Sequence, residues 1–221
     1  MEQALVIGAS GGIGAAIVAA LRERGVDVTG LSRRADGFDL ADPEAVERRM
    51  AALSGSFDLI LVASGILAAP GFAPEKSLAA MDAAAMLRVM AVNAIGPAMI
   101  LRHVPRLLPR DRRAVVAVLS ARVGSIGDNR VGGWHGYRAS KAALNQIMHG
   151  AAIELARTHK QAVCVALHPG TVATPFTAEY AGRHAVVAPD VAAGHLLGVL
   201  DGLEPAQSGR FYDWAGAEVP W

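Results

Sequence analysis

Tyr137 and Lys141 stand four residues apart in the run YRASKAALN, residues 137–145. On a helix, residues i and i+4 share one face about a turn apart, so both side chains can act on one bound molecule. A phenol with a reference pKa of about 10 exchanges its proton poorly at neutral pH, and an ammonium beside it favours the phenolate and lowers that value. The pair therefore has the makings of a proton donor with an electrostatic helper. Two polar residues on a helix surface would show the same spacing, because Tyr-x-x-x-Lys arises often by chance.

A second group of residues could hold what such a donor acts beside. The apolar run at 4–7 passes straight into GASGGIG and then AAIVAALRERG. Gly8 suits a tight turn, Gly12 a close approach of backbone to a pyrophosphate, and Gly14 the packing of helix on strand. The N–H groups and positive end of the helix would face phosphate. After the second apolar run comes LSRRADGFDLAD. Ser32, Arg33 and Arg34 offer the hydroxyl and positive charge that a ribose 2′-phosphate needs, with no acid beside them. NADP(H) is favoured on that ground, with NAD(H) the alternative should Arg34 be merely solvated.

The elements that must position these groups follow from hydrophobic patterning. Apolar runs at 4–7, 26–31, 57–63, 114–120 and 162–168 alternate with longer amphipathic stretches, the pattern of a parallel sheet covered by helices on both faces. The expected fold is α/β, one Rossmann-type doubly wound domain spanning residues 1–221. Pro/Gly-rich stretches near 65–74 and 169–175 then fall at the carboxyl edge of the sheet, where open α/β sheets bind ligands. With 52% apolar and 19% charged residues the chain suits a well-buried enzyme rather than a disordered one. The net charge of +1 gives no general attraction to nucleic acid or acidic membranes. The basic cluster Arg106, Arg110, Arg112 and Arg113 reads as a solvated helix end.

Cys164, the one cysteine, excludes an internal disulfide and a cysteine metal cluster, and reads as a small buried hydrophobe in a reducing cytoplasm. No signal peptide is read at the N-terminus. The hydrophobic region near 78–101 is interrupted by Asp82, Arg88 and Asn93, which argues against a membrane span. His103, His149, His159, His184 and His195 show no metal-ligand spacing, so no metal is expected.

The loop spacing G-x-x-x-G-x-G, together with YRASKAALN, resembles the short-chain dehydrogenase/reductase family, and the resemblance covers nearly the whole chain. It implies a mainly parallel, seven-stranded sheet and a homodimer or homotetramer. It implies cofactor contacts from Ser10 and Ile13, and an adenine-contacting pair at Asp39 and Leu40, which also reads as an ordinary acidic loop before a helix starting at Asp42–Pro43. VASG at 62–65 stands where the family carries N-N-A-G; the asparagine hydrogen bonds are lost, while Ala63 and Gly65 still admit the cofactor. Asn93 matches the helix asparagine whose backbone holds a water of the proton relay, although a buried asparagine needs partners in any fold. HPGTVATP matches the family's P-G-x-V-x-T loop: Pro169 and Gly170 shape a turn, and Val172 and Thr174 would meet the nicotinamide carboxamide.

The fourth catalytic position departs from the family. Aligning LSARVGSIGDN on Gly124 puts Ala121 where the substrate-binding serine belongs. Ser120 is the expected substitute, Ser125 the reserve, and no serine at all the third alternative. Gly124 and Tyr137 are thirteen positions apart, and GSIGDNRVGGWHGYRASKAALN resembles the subgroup around the bacterial C-factor signalling protein and the related insect and animal carbonyl reductases. Trp134 and His135 could line the substrate pocket, Trp134 equally serving as a packing anchor. His168 reads as structural rather than as a base. The implied activity is reversible reduction of a small aldehyde or ketone, with specificity set by the short segment FTAEYAGRHAVVAPD and an open pocket. A nucleotide-binding signalling protein with weak or no catalysis is the alternative.

Overall fold

Continuous apolar runs bury both faces of a strand, and that requirement builds the sheet. The structure is a computed structural model that describes residues 1–177 and 186–221. Six parallel strands are laid out in the order β2-β1-β3-β4-β5-β6. They are β1 (Gln3–Ile7), β2 (Asp27–Leu31), β3 (Leu59–Val62), β4 (Ala114–Leu119), β5 (Ala162–His168) and β6 (Phe211–Asp213). The order reverses between β1 and β3, which opens a crevice above their carboxyl ends.

Strand alternation divides the core in two. Val115, Ala117 and Leu119 of β4 face a cluster with Ile17 and Leu21 of α1 (Gly12–Glu23) and Leu196 and Leu200 of α8 (Pro189–Gly202). Val116 and Val118 face the opposite cluster. It contains Val46 and Met50 of α3 (Pro43–Ala51), Ile100 of α5 (Gly96–Leu101), and Leu144, Met148 and Leu155 of α7 (His135–Thr158). Burying each such side chain contributes about 1.5–3 kcal/mol, so both layers of helices are held to the sheet by the same term.

Among the described residues the strand count is six where seven were expected. Between α2 (Arg33–Asp36) and α3, the segment 37–41 does not join the edge of β2, because its N–H groups are satisfied locally. Phe38 N donates to the Ser32 carbonyl and Ala41 N to Asp39 Oδ1. β6, three residues long, was too short to stand out as an apolar run.

One long helix runs over 83–101, from α4 (Ala83–Met90) into α5, and is interrupted by a wide π turn at Ala91–Ile95. It is long and apolar enough to cross a membrane by composition, but half of it is buried inside this fold. Such π turns insert one extra residue into the helical ladder and redirect side chains, often at functional sites. Here the turn turns Asn93 fully inward.

The buried Asp58 carboxylate ties three parts of the sheet's lower edge. It accepts from Glu2 N at 2.6 Å, Gln3 N at 3.3 Å and Arg112 Nε at 2.9 Å. Burial raises its pKa, but the two backbone bonds and Arg112 outweigh that and hold it below the ordinary carboxylate value. A carboxyl depressed in the folded state stabilises above its unfolded pKa, and that contribution is lost as pH falls through the folded value. Asp58→Ala should therefore cost about 1–3 kcal/mol at pH 7 in urea unfolding. The gap to wild type should narrow on acidification below about pH 4; a gap constant with pH would contradict this account.

Candidate active site

At the carboxyl edge β1 gives way to the glycine loop. Gly8 takes the left-handed φ of +88°, and a Cβ there would lie 2.7 Å from Ser64 Oγ and 2.9 Å from the carbonyl carbon of Ala63. At Gly14 a Cβ would collide with the Gly8 carbonyl. Gly11 caps α1 without a side-chain hydrogen bond. A Cβ on Gly12 would lie 2.5 Å from Thr174 Cγ2, so the loop after β5 comes down against the glycine loop. Ser10 is exposed and Ile13 half-buried. The result is a backbone-lined cradle fitting a pyrophosphate, with Ala63 and Thr174 on its walls.

Beyond β2, Ser32 is buried and caps α2, accepting from Ala35 N at 3.2 Å. An acid does stand beside it, contrary to expectation. Asp36 folds back, its Oδ2 accepting from Ser32 N at 2.8 Å while Oδ1 meets Arg49 at 3.4 Å. Linear spacing hid this carboxylate, because the four-residue helix returns it to its own cap. Arg33 and Arg34 are exposed. Asp39 accepts from Ala41 N and pairs with Arg88 at 3.4 Å, and Leu40 is buried against Gly96.

The chemistry-bearing side chains converge at the start of α7. Tyr137 lies in its first turn, 6% exposed, with Lys141 one turn on, 3% exposed. Lys141 Nζ donates to the Leu119 carbonyl at 2.7 Å and sits 5.8 Å from the Tyr137 ring centre. Asn93 reaches the same place: a Cβ on Gly65 would lie 3.3 Å from Asn93 Oδ1 and 3.4 Å from Lys141 Nζ. Asn93 is held by Ile66 through both its amide N–H and its carbonyl, at 2.8 Å each, and donates to Ser140 Oγ at 3.0 Å. Burial outweighs the mutual influence of phenol and amine. It pushes Tyr137 well above its ordinary value, which keeps the phenol protonated, and Lys141 down to about 7, which brings the amine within reach of proton exchange at neutral pH.

Ser120 is buried and turned to α7, where its hydroxyl donates to Asn145 Oδ1 at 2.6 Å. Ser125 is buried too, its Oγ accepting from Asp128 N at 3.0 Å. Each hydroxyl is thus engaged in local structure, and Ala121 holds the place between them. Gly170 takes a φ of +77° under the Trp214 ring, and Val172 is buried beside Val187. Thr177 Oγ1 donates to the Val172 carbonyl and closes this turn. His168 Nδ1 is buried without a hydrogen-bond partner, and burial lowers its pKa to about 4, which suits a neutral structural imidazole. Trp134 and Phe176 pack around Tyr137 at 6.3 and 6.1 Å between ring centres.

Two residues with large roles gave no motif. Gly124, useful above only for alignment, admits Lys141 to the interior: a Cβ there would lie 2.7 Å from Lys141 Cβ. Glu75, in the long loop after β3, lies at the start of α7 and borders the hollow beside Tyr137 with Leu67, Phe72 and Val89. Next to it opens a cleft of about 460 Å³ lined by Leu67, Phe72, Pro74, Pro175 and Phe176. Of the expected specificity segment FTAEYAGRHAVVAPD, residues 178–185, His184 among them, lie outside the described residues.

Comparison with known proteins agrees with this geometry. Residues 36–184 match the family model described as short chain dehydrogenase. A Rhodococcus sp. (strain AD45) protein, 1-hydroxy-2-glutathionyl-2-methyl-3-butene dehydrogenase, is 34% identical, the alignment covering 100% of both chains. The C-signal protein of Myxococcus xanthus is 41% identical over 149 residues, 66% of this chain and 84% of that one. The crystal structure of a short-chain dehydrogenase/reductase from Burkholderia multivorans with bound NADP superimposes with a TM-score of 0.80 at 27% identity, covering 100% of this chain and 99% of that one. By the match to that family model and by a relative 34% identical over its whole length, this chain belongs to the short-chain dehydrogenase/reductase family of oxidoreductases.

Proposed function

We propose that this chain is an NADP(H)-dependent carbonyl reductase, converting a small aldehyde or ketone to its alcohol or catalysing the reverse oxidation. The observation that carries this reading is the joint burial of Tyr137 and Lys141 beside Asn93 and Gly65, where Tyr137 borders a hollow that adjoins the larger cleft. A protein that only bound nucleotide would have little use for a phenol and an amine so removed from water. The NADP-bound relative supports the choice of cofactor. The signalling alternative, suggested by likeness to C-signal, is not favoured for the same reason.

In this reading Gly8, Ser10, Gly12, Ile13 and Gly14 hold the pyrophosphate, while Ser32, Arg33 and Arg34 meet the 2′-phosphate. Asp39 and Leu40 border the adenine, Ala63 and Gly65 admit the ribose, and Pro169, Gly170, Val172 and Thr174 border the nicotinamide. When bound, NADPH supplies a hydride to the carbonyl carbon. Tyr137 gives its hydroxyl proton to the carbonyl oxygen as negative charge develops there, and Lys141 stabilises the phenolate left behind. The charged lysine is restored against its burial by the neighbouring phenolate and the ribose hydroxyls. Asn93, in the wide helical turn beside Lys141, links the lysine to bulk water. The proposal places the protein in the cytoplasm as a homodimer or homotetramer, on family resemblance.

The catalytic arrangement is tested by following NADPH absorbance against a panel of aldehydes, ketones, diketones and quinones. Tyr137→Phe should lower kcat by about 10²–10⁴-fold while leaving NADPH affinity unchanged. NADPH binding without turnover of any carbonyl by the wild type would overturn the reductase reading. Because Ser120 is committed to Asn145, restoring a hydroxyl next to it with Ala121→Ser should raise kcat/KM by roughly tenfold, the worth of one hydrogen bond. An unchanged value would show that the substrate oxygen needs no donor at that position.

A further inference from the structure

The catalytic helix begins in an unusual way. Gly132, Gly133 and Trp134 take φ values of +69°, +65° and +51°, three left-handed residues in succession, the last a tryptophan for which that conformation is strained. The helix α7 then starts without a capping side chain of its own. Its leading N–H groups find their acceptors on Glu75, which is distant in sequence and belongs to the loop between β3 and α4. Trp134 N donates to the Glu75 carbonyl at 2.5 Å. Gly136 N donates to the Glu75 carboxylate, 3.2 Å from each oxygen. The next residue is Tyr137.

The fit between loop and helix is close on both sides. A Cβ on Gly136 would lie 2.8 Å from Glu75 Oε1, and one on Gly133 would lie 3.3 Å from the Glu75 carbonyl oxygen. Pro74, before Glu75, is buried. Leu67, Phe72 and Glu75 of this loop border the hollow at Tyr137, so the chain that forms the wall of the cleft also carries the helix cap. A carboxylate at the positive end of α7 is favoured electrostatically as well as by its hydrogen bonds.

We infer that Glu75 is a positioning residue for the reaction: it latches the β3–α4 loop to the first turn of α7, and so sets both the place of the Tyr137 hydroxyl and that of the cleft wall. The inference rests on the carbonyl reductase reading for its kinetic consequences. It acts through Tyr137 and touches no reacting atom. A shift of about 1 Å in the phenol would suffice to cost on the order of 10²-fold in rate.

The test compares Glu75→Ala, Glu75→Gln, Gly136→Ala and the double variant E75A/G136A. Steady-state kinetics is read beside NADPH affinity by fluorescence, and hydrogen exchange is followed in peptides spanning 132–138. Glu75→Ala should lower kcat about 10²-fold with NADPH affinity within about twofold of wild type. Glu75→Gln, whose amide oxygen can still accept from Gly136 N, should keep most of the activity. Gly136→Ala should reproduce Glu75→Ala by displacing the same side chain, and the double variant should be no worse than either single one. Exchange at 132–138 should rise in both single alanine variants while the rest of α7 stays protected. Wild-type kcat in Glu75→Ala and Gly136→Ala, additive losses, or a parallel loss of NADPH affinity would each overturn the inference. If the wild type reduces no carbonyl, the reductase reading fails by itself. The exchange data then decide the latch: increased exchange at 132–138 supports it, and unchanged exchange overturns it.

Discussion

A buried lysine imposes its needs on everything around it. Lys141 passes through the space left by the absent side chain of Gly124 and finds the Leu119 carbonyl at the end of β4. Burying an amine without a hydrogen bond is costly, so the strand end has to leave that carbonyl free of the sheet and pointing at α7. The strand ends there because β4 has exhausted its apolar alternation at Leu119, and the chain turns away through Ala121. The same helix that brings Lys141 in must bury Tyr137 one turn earlier, which is why its first turn is so closely fitted to its surroundings.

The electrostatics follow from that burial. Removal from water disfavours the charged form of both phenol and amine, and their proximity at a ring-to-nitrogen distance of 5.8 Å does not cancel this. A developing alkoxide beside Tyr137 would change the balance, and preorganised donors lower barriers by being fixed before charge appears. Asn93 contributes to that fixity. Its amide is satisfied on both sides by Ile66 and Ser140, locking the loop after β3 and the helix α7 to the wide turn of the 83–101 helix.

Where the site departs from its family, neighbouring structure has absorbed the change. Ala121 offers no hydroxyl to a substrate, and the serine beside it is paired with Asn145 in the layer between β4 and α7. Beyond β2, the Asp36 carboxylate is shared between the Ser32 N–H and Arg49.

Much of this protein was already determined by its amino-acid order. Alternation between apolar runs and amphipathic stretches specified parallel strands and their helical layers, because a strand covered on both faces cannot tolerate polar residues on either. The glycine loop was legible for a similar reason: turn, close approach and helix packing are local demands, each met within seven residues. Tyr137 and Lys141 were legible because helical spacing places them on one face. Other features depended on contacts between distant segments. The direction of Ser120, the return of Asp36 to its own helix cap, the absence of an edge strand at 37–41 and the capping of α7 by Glu75 are decided by which partner reaches a hydrogen-bonding group first. That competition is settled in three dimensions, since a carboxylate 61 residues away in sequence can lie 3.2 Å from the N–H it satisfies.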